Sequence, residues 1–354
     1  MMREFKGFKK GVNLGGWLSQ AFHTDSYYSS HIKTSDIEEV SSWGIDHLRV
    51  TFDYNVIQRN DGSIIEENFR HFQRLIDWCE AFKLNLVLCL HKTKGYSVNS
   101  VTGTDFYADE VRQEYFFTIW RDMARRYAKY SDRVAFELLN EVSERSFDAR
   151  WNDIAGRAIE IIREYSPDIN ILAGGYWDSS PDFVKYLDLP KDDHVVYSFH
   201  FFEPKIFALQ GAYWIVNMPG DIWINYDTPL RDYYDIGRRV FPRDSQYMVH
   251  KTYENLTEEE RNAILGSGIS EKYLRMLLEG AVKICDERNI PLYCCEYGVI
   301  DKAAPIDRLK WFRAVHGLFE EFKIGRAAWN YSAMDFGITE IEPEDIKQEI
   351  IRNL

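Results

Sequence analysis

Residues Leu84–Leu90 read LNLVLCL and residues Val134–Asn140 read VAFELLN. Two nearly continuous apolar runs of this length are typical of strands that are buried on both faces, as the strands of parallel sheets are. The stretch between them, Asp109–Tyr130, has the apolar spacing of an amphipathic helix. A strand, a helix and a second strand in this order predict a βαβ unit, and therefore a parallel sheet.

The same alternation extends over the whole chain. Strands are predicted at Gly11–Leu14, Asp46–Val50, Leu84–Leu90, Val134–Asn140, Ile169–Gly174, Val195–His200, Pro291–Glu296 and Arg326–Tyr331. Helices are predicted at Ser35–Trp43, Glu66–Phe82, Asp109–Tyr130, Asp148–Tyr165, Pro181–Leu187, Glu271–Arg288, Pro305–Phe322 and Pro343–Leu354. This strict alternation predicts an α/β fold of the (β/α)8 TIM-barrel class. An open doubly wound sheet is the rival, but it usually carries a GxGxxG loop that this sequence lacks.

Residues 1–354 are predicted to form a single barrel domain with one insertion. The connection after the sixth strand is too long for a simple crossover, so we predict a subdomain at about residues 203–268. Helix starts inside and outside this insertion carry capping signals. Ser35 with Glu38 and Thr257 with Glu260 have the spacing of capping boxes, and Pro343 is expected at a first helical position.

Composition excludes some classes of partner. A net charge of −13 argues against nucleic-acid binding, which needs a basic face. No segment approaches the roughly 20 apolar residues of a membrane span, and the charged N-terminus does not resemble a secretory signal. The cysteines are odd in number and lie in apolar segments, as free thiols do, so a cytoplasmic protein is expected. They are Cys79, Cys89, Cys285, Cys294 and Cys295.

Polar residues end most of the predicted strands. Barrel enzymes carry their reacting groups at the carboxyl ends of the strands. The candidates there are Arg49, His91, Asn140, Glu141, His200, Glu296 and Trp329.

Two of these candidates, Glu141 and Glu296, end the fourth and seventh strands and can face each other across the barrel mouth. Facing carboxylates are what glycosidic bond cleavage requires, with retention or inversion set by their separation. A strand-end glutamate can also simply pair with a cation. Glu137, deeper in the fourth strand, is interpreted in that way, with Arg49 as its possible partner.

Other chemistries fit less well. His91 and His200 lack the local spacing of a zinc site such as HExxH, so no metal is expected. A serine or cysteine triad has no GxSxG elbow, and Cys294 and Cys295 lie within a strand. No cofactor is predicted.

Several motifs carry a more specific signal and are found almost from end to end of the chain. They are GVNLGGWL at Gly11–Leu18, HLRVTFDY at His47–Tyr54, LH at Leu90–His91, ELLNEV at Glu137–Val142, YSFHFFEP at Tyr197–Pro204, YCCEYGVI at Tyr293–Ile300, and AAWNY with MDF at Ala327–Phe336. In these motifs the chain resembles glycoside hydrolase family 5, a family of retaining barrel enzymes, and its clostridial cellulase-type members in particular.

The resemblance implies roles at the reacting centre. Glu141 would be the general acid/base, kept protonated by its environment, and Glu296 the nucleophile. Asn140 would hold the sugar 2-hydroxyl, and Arg49 would orient Glu296 and keep it ionised.

The resemblance also implies substrate contacts. His91 and His200 would position substrate or support the carboxylates, and Trp329 would form a stacking floor beside the cleaved bond. Asn99 and Trp214 are expected by their position to be further sugar contacts.

The chain departs from the family pattern at two positions. The family commonly has His-x-Tyr after strand six, with the tyrosine donating a hydrogen bond to the nucleophile, but this chain has Phe202. Tyr197 cannot substitute, because period-two alternation places it on the opposite face. Lys92 stands where relatives often carry a neutral or imidazole side chain.

The predicted function is a retaining endo-β-glycanase that hydrolyses β-1,4-linked gluco-oligosaccharides or β-glucan without a cofactor. The same chemistry on β-mannan or β-1,3-glucan is the first alternative. A non-catalytic sugar-binding barrel is the second, and neither nucleic acid nor membrane is an expected partner.

Overall fold

Eight parallel strands close into a barrel in the order in which they occur along the chain. The computed structural model describes residues 2–97, 105–142, 148–241 and 256–354. The strands are β1 (Lys10–Asn13), β2 (His47–Asp53), β3 (Asn85–Lys92), β4 (Val134–Glu137), β5 (Asn170–Gly174), β6 (Val195–Phe201), β7 (Leu292–Tyr297) and β8 (Gly325–Ala328). The predicted barrel is confirmed.

Helices pack around the strands. In the described residues the α-helices are Asp25–Ser30, Thr34–Ser42, Tyr54–Ile57, Phe69–Ala81, Glu110–Tyr127, Asp148–Arg163, Tyr176–Ser179, Lys205–Ala208, Leu230–Val240, Glu258–Gly266, Glu271–Arg288, Pro305–Phe322 and Glu344–Arg352. Short 3-10 helices lie at Glu66–Asn68, Asp105–Tyr107, Ala128–Tyr130 and Pro181–Tyr186.

The predicted helix at Pro181–Leu187 is a 3-10 helix in the structure. Its backbone N–H groups bond three residues back, as Phe183 does to Ser180 and Leu187 to Val184. Short 3-10 segments of this kind commonly serve as connectors, and Pro181 at the first position fits one because no N–H is needed there.

Three of the predicted helix starts, Ser35, Asp109 and Pro343, are wrong by one residue. The first long helix begins at Thr34, and the backbone N–H of Lys33 donates to the Asp36 carboxylate at 2.7 Å. The predicted pair of Ser35 with Glu38 is therefore wrong. The last helix begins at Glu344, so Pro343 is its N-cap.

The long connection after β6 contains helices at Lys205–Ala208, Leu230–Val240 and Glu258–Gly266 in its described part. The capping box of Thr257 with Glu260 is confirmed, because each residue's side chain accepts a hydrogen bond from the other's backbone N–H. The interpretation of residues 203–268 as a subdomain stays a prediction.

Two apolar layers hold the barrel together. The larger one lies between the strands and the surrounding helices. The smaller one fills the barrel from the amino ends of the strands, where the rings of Phe5 and Phe8 stack with centroids 4.1 Å apart. This inner layer contains Val87, Ala135, Leu172, Val196, Tyr293, Cys295 and Ala327. Among the described helices, none has the length and apolar character needed to cross a membrane.

Candidate active site

Arg49 is fully buried inside the barrel, and its guanidinium forms hydrogen bonds to the polar side chains around it. Its Nε and Nη2 donate to the two carboxylate oxygens of Glu137 at 2.7 and 2.8 Å. Its Nη1 donates to Glu296 Oε1 and to Asn13 Oδ1, both at 2.7 Å. Nη2 also donates to Asn140 Oδ1 at 2.8 Å. The predicted pairing of Glu137 with Arg49 is confirmed, and it has the bidentate geometry of strong guanidinium–carboxylate pairs.

The pKa values in this network follow from its geometry. Burial raises the pKa of the Glu137 carboxyl, but the charge and hydrogen bonds of Arg49 lower it below the ordinary value. Burial lowers the pKa of the Arg49 guanidinium, and the charges around it, including Glu137 and Glu296, raise it well above the ordinary value. Both groups therefore stay ionised, and Arg49 presents a fixed positive charge to Glu296.

A β-bulge in β7 directs Glu296 into the barrel. Phe199 of β6 pairs with Cys294, and the next residue, His200, pairs with Glu296, so Cys295 is the extra residue. Cys295 belongs to the inner layer and Cys294 to the outer one. With Cys295 counted in a regular alternation, Glu296 would point outward like Cys294. Because the bulge takes Cys295 out of the alternation, Glu296 points inward, and bulges near active sites commonly redirect a side chain in this way.

Glu141 lies four residues beyond the end of β4, in a left-handed backbone conformation with φ of 47°. This conformation is uncommon for a residue with a side chain and is often found at functional sites. Its environment holds it in place: the Tyr96 hydroxyl donates to the Glu141 carbonyl, and the Asn140 backbone N–H donates to the carbonyl of Leu90 at 2.9 Å.

The two strand-end glutamates face each other, as the sequence predicts. A carboxylate oxygen of Glu141 lies within 4.8 Å of one of Glu296, and His200 lies between them. His200 Nδ1 is 3.2 Å from Glu141 Oε1 and 3.7 Å from Glu296 Oε2. Asn140 Nδ2 donates to the second oxygen of Glu141 at 3.3 Å.

The charges around Glu141 favour its ionised form. Burial raises the pKa of the Glu141 carboxyl, but the hydrogen bond and charge of His200 lower it below the ordinary value. Burial lowers the pKa of His200, while the charge of Glu296 and the hydrogen bond to Glu141 raise it above the ordinary value. Both directions favour a charge pair of Glu141 with His200, and the expectation that the environment keeps Glu141 protonated stays a prediction.

Two clusters of described residues have the spacing of metal ligands. One is Glu141, His200 and Glu296, and the other is Glu137, His200 and Cys295. Arg49 already donates to Glu137 and Glu296, and its fixed positive charge opposes a second cation beside them. We therefore interpret the donor set as an acid–base site.

A cavity of about 400 Å³ opens over these carboxylates. Its wall includes His91, Trp329 and Trp214, three predicted substrate contacts. Gly15 lets the Trp329 ring approach closely, because a Cβ at Gly15 would lie 2.5 Å from that ring. Trp214 is 42% exposed and its ring packs edge-on against Tyr213 at 5.0 Å. Sugar rings stack well on exposed aromatic faces of this kind, because the ring faces are apolar.

Asp53 forms a second buried polar cluster next to this cavity. Its Oδ2 accepts from the Gln20 backbone N–H at 3.1 Å and contacts His23 Nε2 at 3.1 Å and Lys92 Nζ at 3.0 Å. His91 Nδ1 is 3.5 Å from Oδ1. The charge of Lys92, which departs from the family pattern, is therefore balanced inside the protein.

The structure brings most of the predicted site residues together. Arg49, Asn140, Glu141, His200 and Glu296 form one network, while His91, Trp329 and Trp214 line the cavity beside it. Asn99 lies outside the described residues.

Sequence reasoning missed Asn13 and Asp53. Asn13 ends β1 and could have been found by the strand-end rule that identified the others. Its Nδ2 donates to the carbonyls of Cys295, Ala327 and Ala328 at 3.0 to 3.2 Å. Asp53 was missed because β2 continues three residues beyond its predicted end at Val50.

The comparisons with known proteins agree with this geometry. A sequence profile of the family Cellulase (glycosyl hydrolase family 5) matches residues 7–335. Cellodextrinase A of Ruminococcus flavefaciens is 35% identical over 92% of this chain and 86% of its own length. Endoglucanase C of Acetivibrio thermocellus is 33% identical over 98% of both chains.

Solved structures show the same fold. The cellulose synthase subunit Z of Clostridioides difficile superposes with a TM-score of 0.74 at 24% identity, covering 97% of this chain and 99% of that one. Thermotoga maritima Cel5A in complex with cellobiose gives 0.74 at 18% identity, covering 98% of both chains. With a barrel whose fourth and seventh strands bring two glutamates together, and with relatives along its whole length, the chain belongs to the cellulase family of glycosyl hydrolases, family 5.

Proposed function

We propose that this protein is a retaining endo-β-glycanase that hydrolyses β-1,4-linked gluco-oligosaccharides. The observation that carries the proposal is the separation of Glu141 and Glu296, whose carboxylate oxygens come within 4.8 Å of each other. Retaining enzymes hold their carboxyl groups about 5–5.5 Å apart, whereas inverting enzymes leave about 6.5–9.5 Å for a water molecule. The close approach of the two carboxylates therefore supports the retaining spacing over the inverting one.

Each step of a double displacement has a residue placed to perform it. Glu296 attacks the anomeric carbon and forms a glycosyl ester, while Glu141 gives a proton to the leaving oxygen. Glu141 then deprotonates the water that releases the sugar with retained configuration. Arg49 holds Glu296 in position and directs it at the substrate, because it donates to Oε1 at 2.7 Å. Asn140 is oriented by its bonds to Arg49 and Glu141 so that it can hold a sugar hydroxyl.

Aromatic side chains support a sugar substrate. Trp329 lies on the cavity wall after β8 and offers a stacking surface beside the reacting pair. Trp214 lies on the wall formed by the long connection after β6 and offers a second one. The choice of β-1,4-glucan rests on the names of the relatives, a cellodextrinase and an endoglucanase.

We also propose that the protein works in a reducing compartment such as the cytoplasm. All five cysteines are buried and unpaired, which suits a place where disulfides do not form.

The experiment that tests the function is hydrolysis of cellotetraose, mannotetraose and laminaritetraose, with the Glu296→Gln variant measured in parallel. We expect cellotetraose to be cleaved to shorter cellodextrins, with the β-anomer appearing first in NMR spectra. Removing the nucleophile should lower kcat by at least about 1,000-fold without unfolding the protein.

Each other outcome has a definite meaning. Cleavage of mannotetraose or laminaritetraose alone would contradict the proposed substrate class but not the proposed mechanism. A first product in the α-form, or substantial turnover by Glu296→Gln, would contradict the retaining mechanism. Binding of all three sugars without cleavage would favour the sugar-binding barrel.

A further inference from the structure

We propose that the outer face of a loop beside the cavity binds the part of a β-linked glucan chain that extends beyond the reacting centre. The loop comprises residues 209–225, in the long connection after β6, and its outer face consists of Tyr213, Val216 and Trp223. The inference rests on the proposed function, and it extends the substrate class from short oligosaccharides to long neutral chains.

The first argument is the exposure of this face. Tyr213 is 83% exposed, Val216 78% and Trp223 66%, although each has a large apolar side chain. In the described part of the chain nine large apolar side chains are exposed, and four of them lie between residues 213 and 223. Apolar residues that are exposed singly need no explanation, whereas a concentration of them commonly marks a binding site.

The second argument is the lack of charge in the loop. Asp221 is its one charged residue, whereas 28% of the whole chain is charged. A surface of apolar and uncharged polar groups suits a neutral ligand that has apolar faces and hydroxyls, as a pyranose ring has. The loop contains no lysine or arginine and the chain has a net charge of −13, so the loop lacks the cations that bind nucleic acids and anionic membranes.

The third argument is that a buried amide fixes the loop. Gln210 is fully buried, and its Nε2 donates to the carbonyls of Phe207 and Ile224, both at 3.1 Å. Its Oε1 accepts from the Ile224 backbone N–H at 2.8 Å. These bonds hold the two ends of the loop together next to Trp223, whose indole N–H donates to Asn225 Oδ1 at 3.1 Å. A surface that is already ordered loses little conformational entropy when a ligand binds.

The fourth argument is that the loop is continuous with the cavity. Ile215, on its inner side, packs against the apolar group around Trp329. Tyr213 lies on the cavity wall, whereas Val216 and Trp223 lie beyond the residues that line it. A long extended chain does not fit inside a cavity of about 400 Å³, so its outer units need a further surface or stay in water. A chain that leaves the cavity along Tyr213 passes over the outer face of the loop.

The test measures binding without turnover, in the Glu296→Gln background. The ligand is hydroxyethyl cellulose, a soluble and neutral β-1,4-glucan derivative, and affinity electrophoresis gives its Kd. We expect the Trp223→Ala substitution to raise this Kd at least about fivefold, because tryptophan is among the side chains whose removal weakens binding surfaces most. Trp223→Tyr keeps an aromatic face and should retain most of the affinity.

Leu189→Ala is the matched control for this measurement. Leu189 is also 66% exposed, but it precedes β6 and lies outside the residues that line the cavity. We expect its Kd to equal that of the parent protein. Equal losses in Leu189→Ala and Trp223→Ala would overturn the proposal, because they would indicate nonspecific adsorption. Unchanged affinity in Trp223→Ala would overturn it too.

Kinetics with Glu296 intact separate the loop from the reacting centre. Trp223→Ala should lower kcat/KM on hydroxyethyl cellulose by about the same factor as the affinity, because binding energy enters kcat/KM directly. The value on 4-nitrophenyl β-cellobioside should not change, since this short substrate ends near the reacting carboxylates. Equal losses on both substrates would overturn the proposal. Failure of the wild-type protein on every glucan, with binding that still depends on Trp223, would refute the proposed function and support the binding surface.

Sedimentation velocity tests whether a second copy of the chain covers the outer face instead. We expect Trp223→Ala to leave the oligomeric state of the protein unchanged. A wild-type dimer that this substitution dissociates would overturn the proposal, because it would assign the outer face to an interface between copies.

Discussion

Arg49 determines which of the neighbouring carboxylates can react. Its guanidinium takes both oxygens of Glu137 but only one oxygen of Glu296, so Glu137 is fully engaged and Glu296 keeps a free edge. Two glutamates bonded to the same cation thus acquire different roles from the number of their contacts. A carboxylate attacks through an oxygen that is not held, which suits Glu296 to act as a nucleophile.

Phe202→Tyr tests the effect of the missing hydroxyl. The ring lies beside His200 on the wall of the cavity that Glu296 also lines, so we expect an added hydroxyl to donate to Glu296. A hydrogen bond to a charged group contributes about 1.5–3 kcal/mol, so we expect kcat/KM on cellotetraose to rise about tenfold or more if the bond tightens in the transition state. Steady-state kinetics check this. An unchanged or lower value in a variant that folds normally would contradict it.

At the residue scale, the sequence predicted the members of the site better than their contacts. Polar residues at the ends of apolar runs could be identified because a barrel places those ends together, and this rule found Glu141, His200 and Glu296. The pairing of Glu137 with Arg49 could be anticipated, since a charge deep in a strand needs a partner. The 3.2 Å contact of Glu141 with His200 could not, because only the closed barrel brings the ends of their two strands to this distance.

At the scale of the elements, the true ends of the strands place residues beside the cavity that the predicted strand boundaries leave out. β2 runs to Asp53 rather than Val50, and these additional residues connect the segment after β1 to the end of β3. Asp53 reaches Gln20 and His23 on one side and Lys92 on the other. Element boundaries are hard to predict, because Thr51, Phe52 and Asp53 fit a strand and a loop almost equally well.

Asp53→Asn tests this connection. Burial raises the pKa of Asp53, but the hydrogen bond from His23, the nearby His91 ring and the charge of Lys92 lower it below the ordinary value. A carboxylate with a lowered pKa stabilises the folded state above its unfolded-state pKa of about 4, and that contribution is lost as pH falls towards the folded-state value. We therefore expect the variant to lose about 3 kcal/mol of unfolding free energy at pH 7.

The difference from wild type should shrink below about pH 4, where the Asp53 carboxylate takes up a proton in the unfolded chain but stays ionised in the folded protein. Urea unfolding at several pH values measures both effects. The exposed Asp61 is the control, because it bonds only to Ser63 within its own loop. A constant difference between pH 3 and pH 7 would contradict the assignment.

At the scale of the whole molecule, the barrel separates stability from chemistry. The stacked rings of Phe5 and Phe8 close the barrel at the amino ends of the strands, and the carboxylates lie at the opposite ends. The closed order of strands was predictable because the alternation of strand and helix is regular. The closure by Phe5 and Phe8 was not, since two phenylalanines in a short charged segment carry no periodic signal.

The Phe5→Ala substitution should lower the stability of the protein without lowering its kcat. Removing a buried phenylalanine side chain costs about 3–5 kcal/mol, and the cavity it leaves lies far from the reacting groups. We expect a lower melting temperature with an unchanged kcat at temperatures where the variant is folded. Phe22→Ala is the control for stability, because Phe22 is 78% exposed. A loss of kcat in folded Phe5→Ala would show that the two ends of the barrel are coupled.

The bulge at Cys295 implies that the strand carries one residue more than the direction of Glu296 requires. Exchanging Cys294 or Cys295 for another small apolar residue leaves both the bulge and the glutamate in place. Deleting either one removes the extra residue, and regular alternation from the inward-facing Tyr293 then still points Glu296 into the barrel. In a library of variants, this strand should therefore accept many substitutions and the loss of either cysteine, whereas a deletion in a strand without a bulge turns every later side chain to the other face.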